Sequence, residues 1–421
     1  MEMTKYKLGD IAEIQTGPFG SQLHNEDYVT EGTPIVTVEH LGNKYFTTQN
    51  LPLVSDEDKK RLNRYCLKEN DIVFSRVGSV DRCSFVSKNE EGWLFSGRCL
   101  RVRPNPKIIE PQWLYYFFTQ SHFKEYVRNK AVGCTMPSLN TELLSELGIS
   151  FPSLKDQKEI ASVLSALDDK IALNKKMNQK LETMAKRLYD YWFVQFDFPD
   201  KNGRPYKTTG GPMTYNPTLK REIPAGWDVS SFTDFGFFKN GINYDKNEVG
   251  DETVKIVNVR NISDSTTYFN IDELDDITLK SDDIQKFVAT PKDILLARSG
   301  SPGATRLLPQ TGKKIIYCGF IIRYQLNEQD LDKQLYLFHV LKGYEQVTST
   351  QSAGSILKNI SQDTLNALTV VMPQSSVLDA FNEKIAPIYS MLRKNISELN
   401  KLTTLRDKLL PLLMNGQVVV G

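Results

Sequence analysis

A single offset organises this chain of 421 residues. Residues from about 6 to 195 recur in diverged form near 221 positions later, so the protein is two copies of one unit. Ile35-Val36-Thr37-Val38 reappears as Ile256-Val257-Asn258-Val259, and Asp71-Ile72-Val73-Phe74-Ser75-Arg76-Val77-Gly78-Ser79 as Asp293-Ile294-Leu295-Leu296-Ala297-Arg298-Ser299-Gly300-Ser301. Leu114-Tyr115 pairs with Leu335-Tyr336, Gly133 with Gly354, Leu147 with Leu368 and Pro152 with Pro373. So long a period is a duplicated domain and whatever follows it, rather than a solenoid repeat. Such a chain presents two similar surfaces to a partner with two similar sites.

Each copy begins with about 150 residues of short β-branched and aromatic runs broken by turn signals, as in Thr33 to Val38, Asp71 to Ser75, Val254 to Val259 and Ile315 to Tyr324. A helical segment, Gln112 to Lys130 and its counterpart Asp332 to Gln346, lies in the second half of each. The expected class is α+β.

After Pro152 the pattern changes. Ile160, Leu164, Leu167, Ile171, Asn174, Asn178, Leu181, Ala185, Leu188 and Trp192 alternate steps of four and three, which keeps one seam of a helix against a partner helix. Ser153 and Asp156 can cap its start. The second copy carries Phe381, Ile385, Ile388, Leu392, Asn395, Leu399, Leu402, Arg406, Leu409 and Leu413, then Asn415-Gly416 as a stop. Arg406 interrupts the run, with Leu405 as its expected substitute, and Pro387 predicts a kink or a local break. Each helix of about 40 residues would be ~60 Å long.

Two such stripes most simply satisfy each other. The expected architecture is two tandem-duplicated domains separated by two long antiparallel coiled-coil helices with pseudo-two-fold symmetry. Its parts are residues 1–152, a helix over 153–196, an irregular Pro- and Gly-rich connector over 197–222, a second domain over 223–373 and a helix over 374–421. Asn174 and Asn395 sit at equivalent seam positions, where a polar residue penalises wrong registers.

Catalytic signatures are missing: no phosphate loop, dinucleotide fingerprint, zinc-protease motif or nucleophile elbow, and no Asn-Pro-Pro-aromatic motif. Five cysteines without metal spacing are expected to be reduced, and no metal site is expected. With no apolar run of ~20 residues and no signal-peptide pattern, a cytoplasmic protein is expected. The formal charge of +1 decides nothing about nucleic acid, because binding depends on how charge is distributed.

What does recur is an arginine among small polar residues after a strand. Ser75, Arg76 and Ser79, with Arg298, Ser299 and Ser301 in the second copy, suit phosphate contacts, and Arg also binds a guanine edge bidentately. A strand-end arginine in a turn is the plain alternative. A second recurring loop, Gly133-Cys134-Thr135 with Ser138 and Asn140, is matched by Gly354-Ser355 with Asn359 and Ser361; it can donate to phosphates or form a helix-start turn. Trp192, Phe193 and Phe196 close the first helix, either packed inward or as a patch for another protein.

The stretch Phe151-Pro152-Ser153-Leu154-Lys155-Asp156-Gln157-Lys158-Glu159-Ile160-Ala161, with Trp192-Phe193-Val194-Gln195-Phe196-Asp197-Phe198-Pro199, resembles the central conserved region of Type I restriction-modification specificity subunits. The connector, with Gly203-Arg204-Pro205-Tyr206-Lys207 and Arg221-Glu222-Ile223-Pro224-Ala225-Gly226-Trp227, is similar to that family's lead-in to its second recognition domain. The second helix departs from the pattern, with Leu378 where the first has Gln157.

The resemblance implies a non-catalytic subunit with two target-recognition domains, each reading half of a bipartite site in double-stranded DNA. It implies helices that set the spacing and dock two methyltransferase subunits, with Gln157, Trp192, Phe193 and Phe196 as docking candidates. It also implies S-adenosylmethionine on the methyltransferase, and ATP and Mg on a motor-nuclease subunit where one joins. The chain itself would carry no cofactor. Because His40 to Lys44 and Asn261 to Ser265 differ, the half-sites should differ and the target be asymmetric. The competing readings are a protein-binding adaptor and a self-contained nuclease or methyltransferase, the latter disfavoured by the missing motifs.

Overall fold

The structure, a computed structural model, describes residues 3–18, 20, 22–42, 44–131, 137–244, 250–351, 359–418 and 420. The chain forms two compact units, Met1–Leu173 with Lys401–Gly421, and Asn174–Asn400. Both boundaries fall within long helices, Leu154–Tyr189 and Ser375–Met414.

In the first unit, Ala12–Thr16, Cys99–Pro104, Ile72–Ser75 and Cys83–Phe85 form an antiparallel sheet in that order. Ile72–Ser75 is buried along its whole length, so it reads as an unbroken apolar run rather than an alternation. A second sheet runs Tyr28–Val29, Leu53–Val54, Thr33–Val36, Leu94–Phe95, its last pair parallel. Thr4–Lys7 pairs with Gly148–Phe151. Helical residues Trp113, Leu114 and Phe118 share one core with Phe74, with Ile160 and Leu164 of the first long helix and with Leu413 of the second.

The second unit repeats this plan. Gly236–Asn240, Ile321–Leu326, Ile294–Ala297 and Thr305–Leu307 form the first sheet. Asp275–Leu279, Glu252–Val257 and Ile315–Tyr317 form the second, again ending in a parallel pair. Asp228–Ser231 pairs with Thr369–Met372.

Several local expectations change. The run 315–324 is two strands of different sheets, divided by a turn at Cys318-Gly319-Phe320. The helix expected over 112–130 breaks at extended Gln120 into Pro111–Thr119 and Ser121–Lys130. The break brings Phe118 and Phe123 onto the same Phe74 ring, at 4.8 and 6.2 Å. The connector is not wholly irregular. Met213–Asn216 and Arg221–Pro224 form a hairpin, whose turn is held by the Asn216 side chain accepting from the Thr218 and Leu219 N–H groups.

The start of the first long helix and the end of the second carry the local signals read from the sequence. Ser153 Oγ accepts from Asp156 N–H at 3.3 Å and donates to the Asp156 carboxylate at 2.7 Å. At the far end of the second helix Gly416 takes φ +68°, and the Gln417 N–H reaches back to Leu412. Pro387 does not interrupt that helix. Its ring is exposed, and buried Ile385 and Tyr389 anchor both sides, which offsets a loss of about 3 kcal/mol.

Of the seam residues, Ile160, Leu164, Ile171, Asn174, Leu181, Ile385, Leu392 and Asn395 are buried. Leu167, Leu188, Leu402 and Leu409 are half-buried, and Asp168 and Tyr389 take buried places beside the expected Leu167 and Ile388. Leu405 does not substitute for Arg406. It points outward at 45 % exposure, while Arg406 stays in the seam against Asp168.

Candidate nucleic-acid interface

Each globular half presents the same loop arrangement. In the first, strand Ile72–Ser75 runs into Arg76-Val77-Gly78-Ser79, and this loop joins the segment after residue 136. The Gly78 N–H donates to the Pro137 carbonyl at 2.9 Å, the Leu139 N–H donates to the Arg76 carbonyl at 2.8 Å, and Val77 bridges Ser138. In the second, the Ile360 N–H donates to the Arg298 carbonyl at 2.9 Å and Ser299 bridges Asn359. The two recurring loops, about 60 residues apart in each copy, are therefore one surface feature.

A third segment completes it. The Arg76 N–H donates to the Arg98 carbonyl and the Arg298 N–H to the Phe320 carbonyl, both at 2.8 Å. Sequence reasoning passed over these turns, Ser96-Gly97-Arg98 and Cys318-Gly319-Phe320. Their shared signal is the glycine pair, Gly97 and Gly319, at the repeat offset. Gly78 and Gly300 take φ +74° and +77°, a left-handed conformation that glycine adopts without steric cost.

The polar side chains differ in what they can still contact. Arg76 is half-buried, and its Nη1 donates to the Gly97 carbonyl at 3.1 Å. Ser79 is exposed. Arg298, Ser299 and Ser301 are half-buried, and Ser301 Oγ accepts from Ser263 Oγ at 2.9 Å. Asn359 is exposed.

Two expected contacts are corrected. Ser75 is buried and donates to the Val77 carbonyl at 2.8 Å, so its hydroxyl shapes the loop from inside. Asn140 caps the short helix Thr141–Ser145 by accepting from the Leu143 N–H at 2.7 Å, as Ser361 caps Gln362–Asn366. Thr135 and Ser355 lie outside the described residues.

Buried charge holds the strands behind the loops. Asp71 accepts two bonds of 2.7 Å from Arg103. Its counterpart Asp293 lies 3.9 Å from Arg323 and accepts from the Thr290 N–H at 2.7 Å and hydroxyl at 3.1 Å, and burial pushes its carboxyl up from the usual range.

The docking candidates are also corrected. Gln157 is fully buried, its Oε1 accepting from the Glu110 N–H at 2.7 Å and its Nε2 donating to the Pro152 carbonyl at 2.9 Å. It fastens the helix start to its own unit, and apolar Leu378 is buried at the second copy's position. Trp192, Phe193 and Phe196 are core residues. Phe193 lies edge-on to Phe381 at 4.8 Å, Trp192 is 5.9 Å from Phe381, and Phe196 meets Trp227 at 5.6 Å. Helix Leu154–Tyr189 ends in a π-turn over Asp190–Val194, then Phe196 at φ +63°, which turns these rings inward and leaves Tyr191 and Val194 exposed.

Among the described residues no helix is long and apolar enough to cross a membrane. Residues 1–183 match the family described as the Type I restriction modification DNA specificity domain. The chain is 27 % identical to the Type I restriction enzyme MjaIX specificity subunit of Methanocaldococcus jannaschii, over 98 % of this chain and 93 % of that protein. It is 22 % identical to the HindI specificity subunit of Haemophilus influenzae, over 98 % of this chain and 99 % of that one. In fold it is similar to the crystal structure of a Type I restriction-modification S subunit from M. genitalium, with a TM-score of 0.61 at 14 % identity, covering 98 % of this chain and 96 % of that one.

Proposed function

We propose that the chain is a member of the family of Type I restriction-modification specificity subunits, the family its first 183 residues match, and that it is the non-catalytic, DNA-reading subunit of such a complex. Each recognition domain reads one half of an asymmetric bipartite target in double-stranded DNA. The observation that carries this reading is the loop cluster built twice, around Arg76 with Leu139 and around Arg298 with Ile360. Polar side chains there suit phosphates, which position the protein, and base edges, which specify the sequence.

The two long helices pair antiparallel as a coiled coil, set the spacing of the half-sites and dock two methyltransferase subunits. Contacts within each unit support this pairing: Asp168 with Arg406 in one, Trp192 and Phe193 with Phe381 in the other. Exposed Tyr191 and Val194, rather than the buried rings beside them, then face the partner. S-adenosylmethionine belongs on the methyltransferase, whose pocket receives the flipped adenine, and ATP and Mg on a motor-nuclease subunit. The assembly works in the cytoplasm.

The test is binding of duplex DNA by the chain assembled with its methyltransferase. Log affinity should fall linearly with log salt, and one bipartite sequence should outcompete all others. Binding indifferent to sequence would favour a protein adaptor instead.

A further inference from the structure

We infer that Phe320 is a base-contacting residue of the second recognition domain and that Arg98, its counterpart, is a phosphate-contacting residue of the first. This rests on the reading that the loop clusters face DNA. The two turns are bonded alike: the Cys99 N–H returns to the Ser96 carbonyl and the Ile321 N–H to the Cys318 carbonyl, each at 2.9 Å. Each turn's last residue then gives its carbonyl to the arginine of the cluster.

The side chains at that shared position are opposites. Arg98 is an exposed cation. Phe320 is 61 % exposed, although aromatic rings normally supply much of a core. The turn beneath it is closed by the Ile321 N–H on the Cys318 carbonyl at 2.9 Å. The exposed phenyl ring is thus carried by the residue whose carbonyl holds the Arg298 backbone.

A phenyl ring has neither charge nor hydrogen bond for a phosphate. Beside a duplex it can pack on a thymine methyl or against a base step, and both report sequence. A guanidinium at the same place attracts the backbone and releases counterions. One half of the target is then gripped through charge, and the other read through an apolar contact.

The experiment uses the full chain with its methyltransferase, and a duplex carrying the motif found methylated in host DNA, titrated across salt concentrations. Phe320→Ala should weaken binding about tenfold at every salt concentration, leave the salt slope unchanged and relax base preference in one half-site. Arg98→Ala should weaken binding to all sequences alike and reduce the slope by about one. Both side chains are exposed, so unchanged melting temperatures confirm intact folds. Wild-type affinity and preference in Phe320→Ala, or a slope changed by that substitution, would overturn the inference while leaving the DNA-reading function in place. A wild-type complex without motif preference would overturn that function as well.

Discussion

Arg406 Nη1 donates to Asp168 Oδ1 at 3.0 Å, so the one charged residue in the second helix's apolar stripe meets a carboxylate from the first helix. Asp168 is buried and also accepts from the Tyr116 hydroxyl at 2.7 Å, which joins both helices to the recognition domain of the first unit. Burial and this carboxylate together push the Tyr116 phenol far above its ordinary range.

Removing Asp168 takes the buried carboxylate from Arg406, which keeps Asp407 at 2.8 Å, and removing Arg406 leaves Asp168 with Lys44 at 4.0 Å. Asp168→Ala should destabilise the first unit by about 2 kcal/mol, less than a fully buried pair would lose because Arg406 keeps some contact with solvent. Asp168→Leu combined with Arg406→Leu should recover most of that loss. A denaturant double-mutant cycle measures the coupling, and additive losses would contradict a specific pair.

The two buried strand aspartates should respond differently to neutralisation. Asp71→Asn breaks a two-bond contact with Arg103 and should cost about 2 kcal/mol. Asp293→Asn should be close to neutral at pH 7, because burial already disfavours its charge and an amide oxygen still accepts from Thr290. Denaturant midpoints of the two variants decide this, and a larger loss at 293 would be the wrong order.

His339 makes the second unit acid-sensitive. It is buried beside the Tyr389 hydroxyl at 3.0 Å, and burial, then Lys342 and Lys186, push its pKa down from 6.5 to about 3. A lowered folded-state pKa means stability that is fully present above about pH 6.5 and lost as pH falls towards 3. Between about pH 7 and pH 5 the unit should lose about 2 kcal/mol, and His339→Gln should remove that dependence. Parallel melts of both proteins test it, and equal acid loss in the variant would exclude His339 as the source.

The cluster arginines should act on separate half-sites. Arg76→Ala and Arg298→Ala should each cost about 2 kcal/mol of target binding, with the loss falling on one half-site in each case. Competition with duplexes altered in one half at a time is the readout. Equal and negligible effects would remove both loops from the interface.

What the sequence made legible is what repeats by residue type. Ile72-Val73-Phe74 and Ile294-Leu295-Leu296 keep their apolar character because both strands are buried throughout, so the duplication survives divergence. Helix ends were readable because Ser153 and Gly416 act on neighbouring backbone. The joining of Val77 to Ser138 was not, since it is a tertiary contact between loops that carry no apolar pattern. Periodicity counts apolar residues and so placed Leu167 in the seam, whereas burial there also admits Asp168 because Arg406 and Tyr116 satisfy it. Trp192 and Phe193 look alike as core or as patch in one dimension; the π-turn and the turn at Phe196 decide between them.

The central claim is that this chain chooses where adenine is methylated. Modification-sensitive sequencing of host DNA with and without the gene measures that directly. Loss of N6-methyladenine from one bipartite, asymmetric motif is the predicted result. An unchanged methylome, with the partner methyltransferase expressed and active, would contradict it.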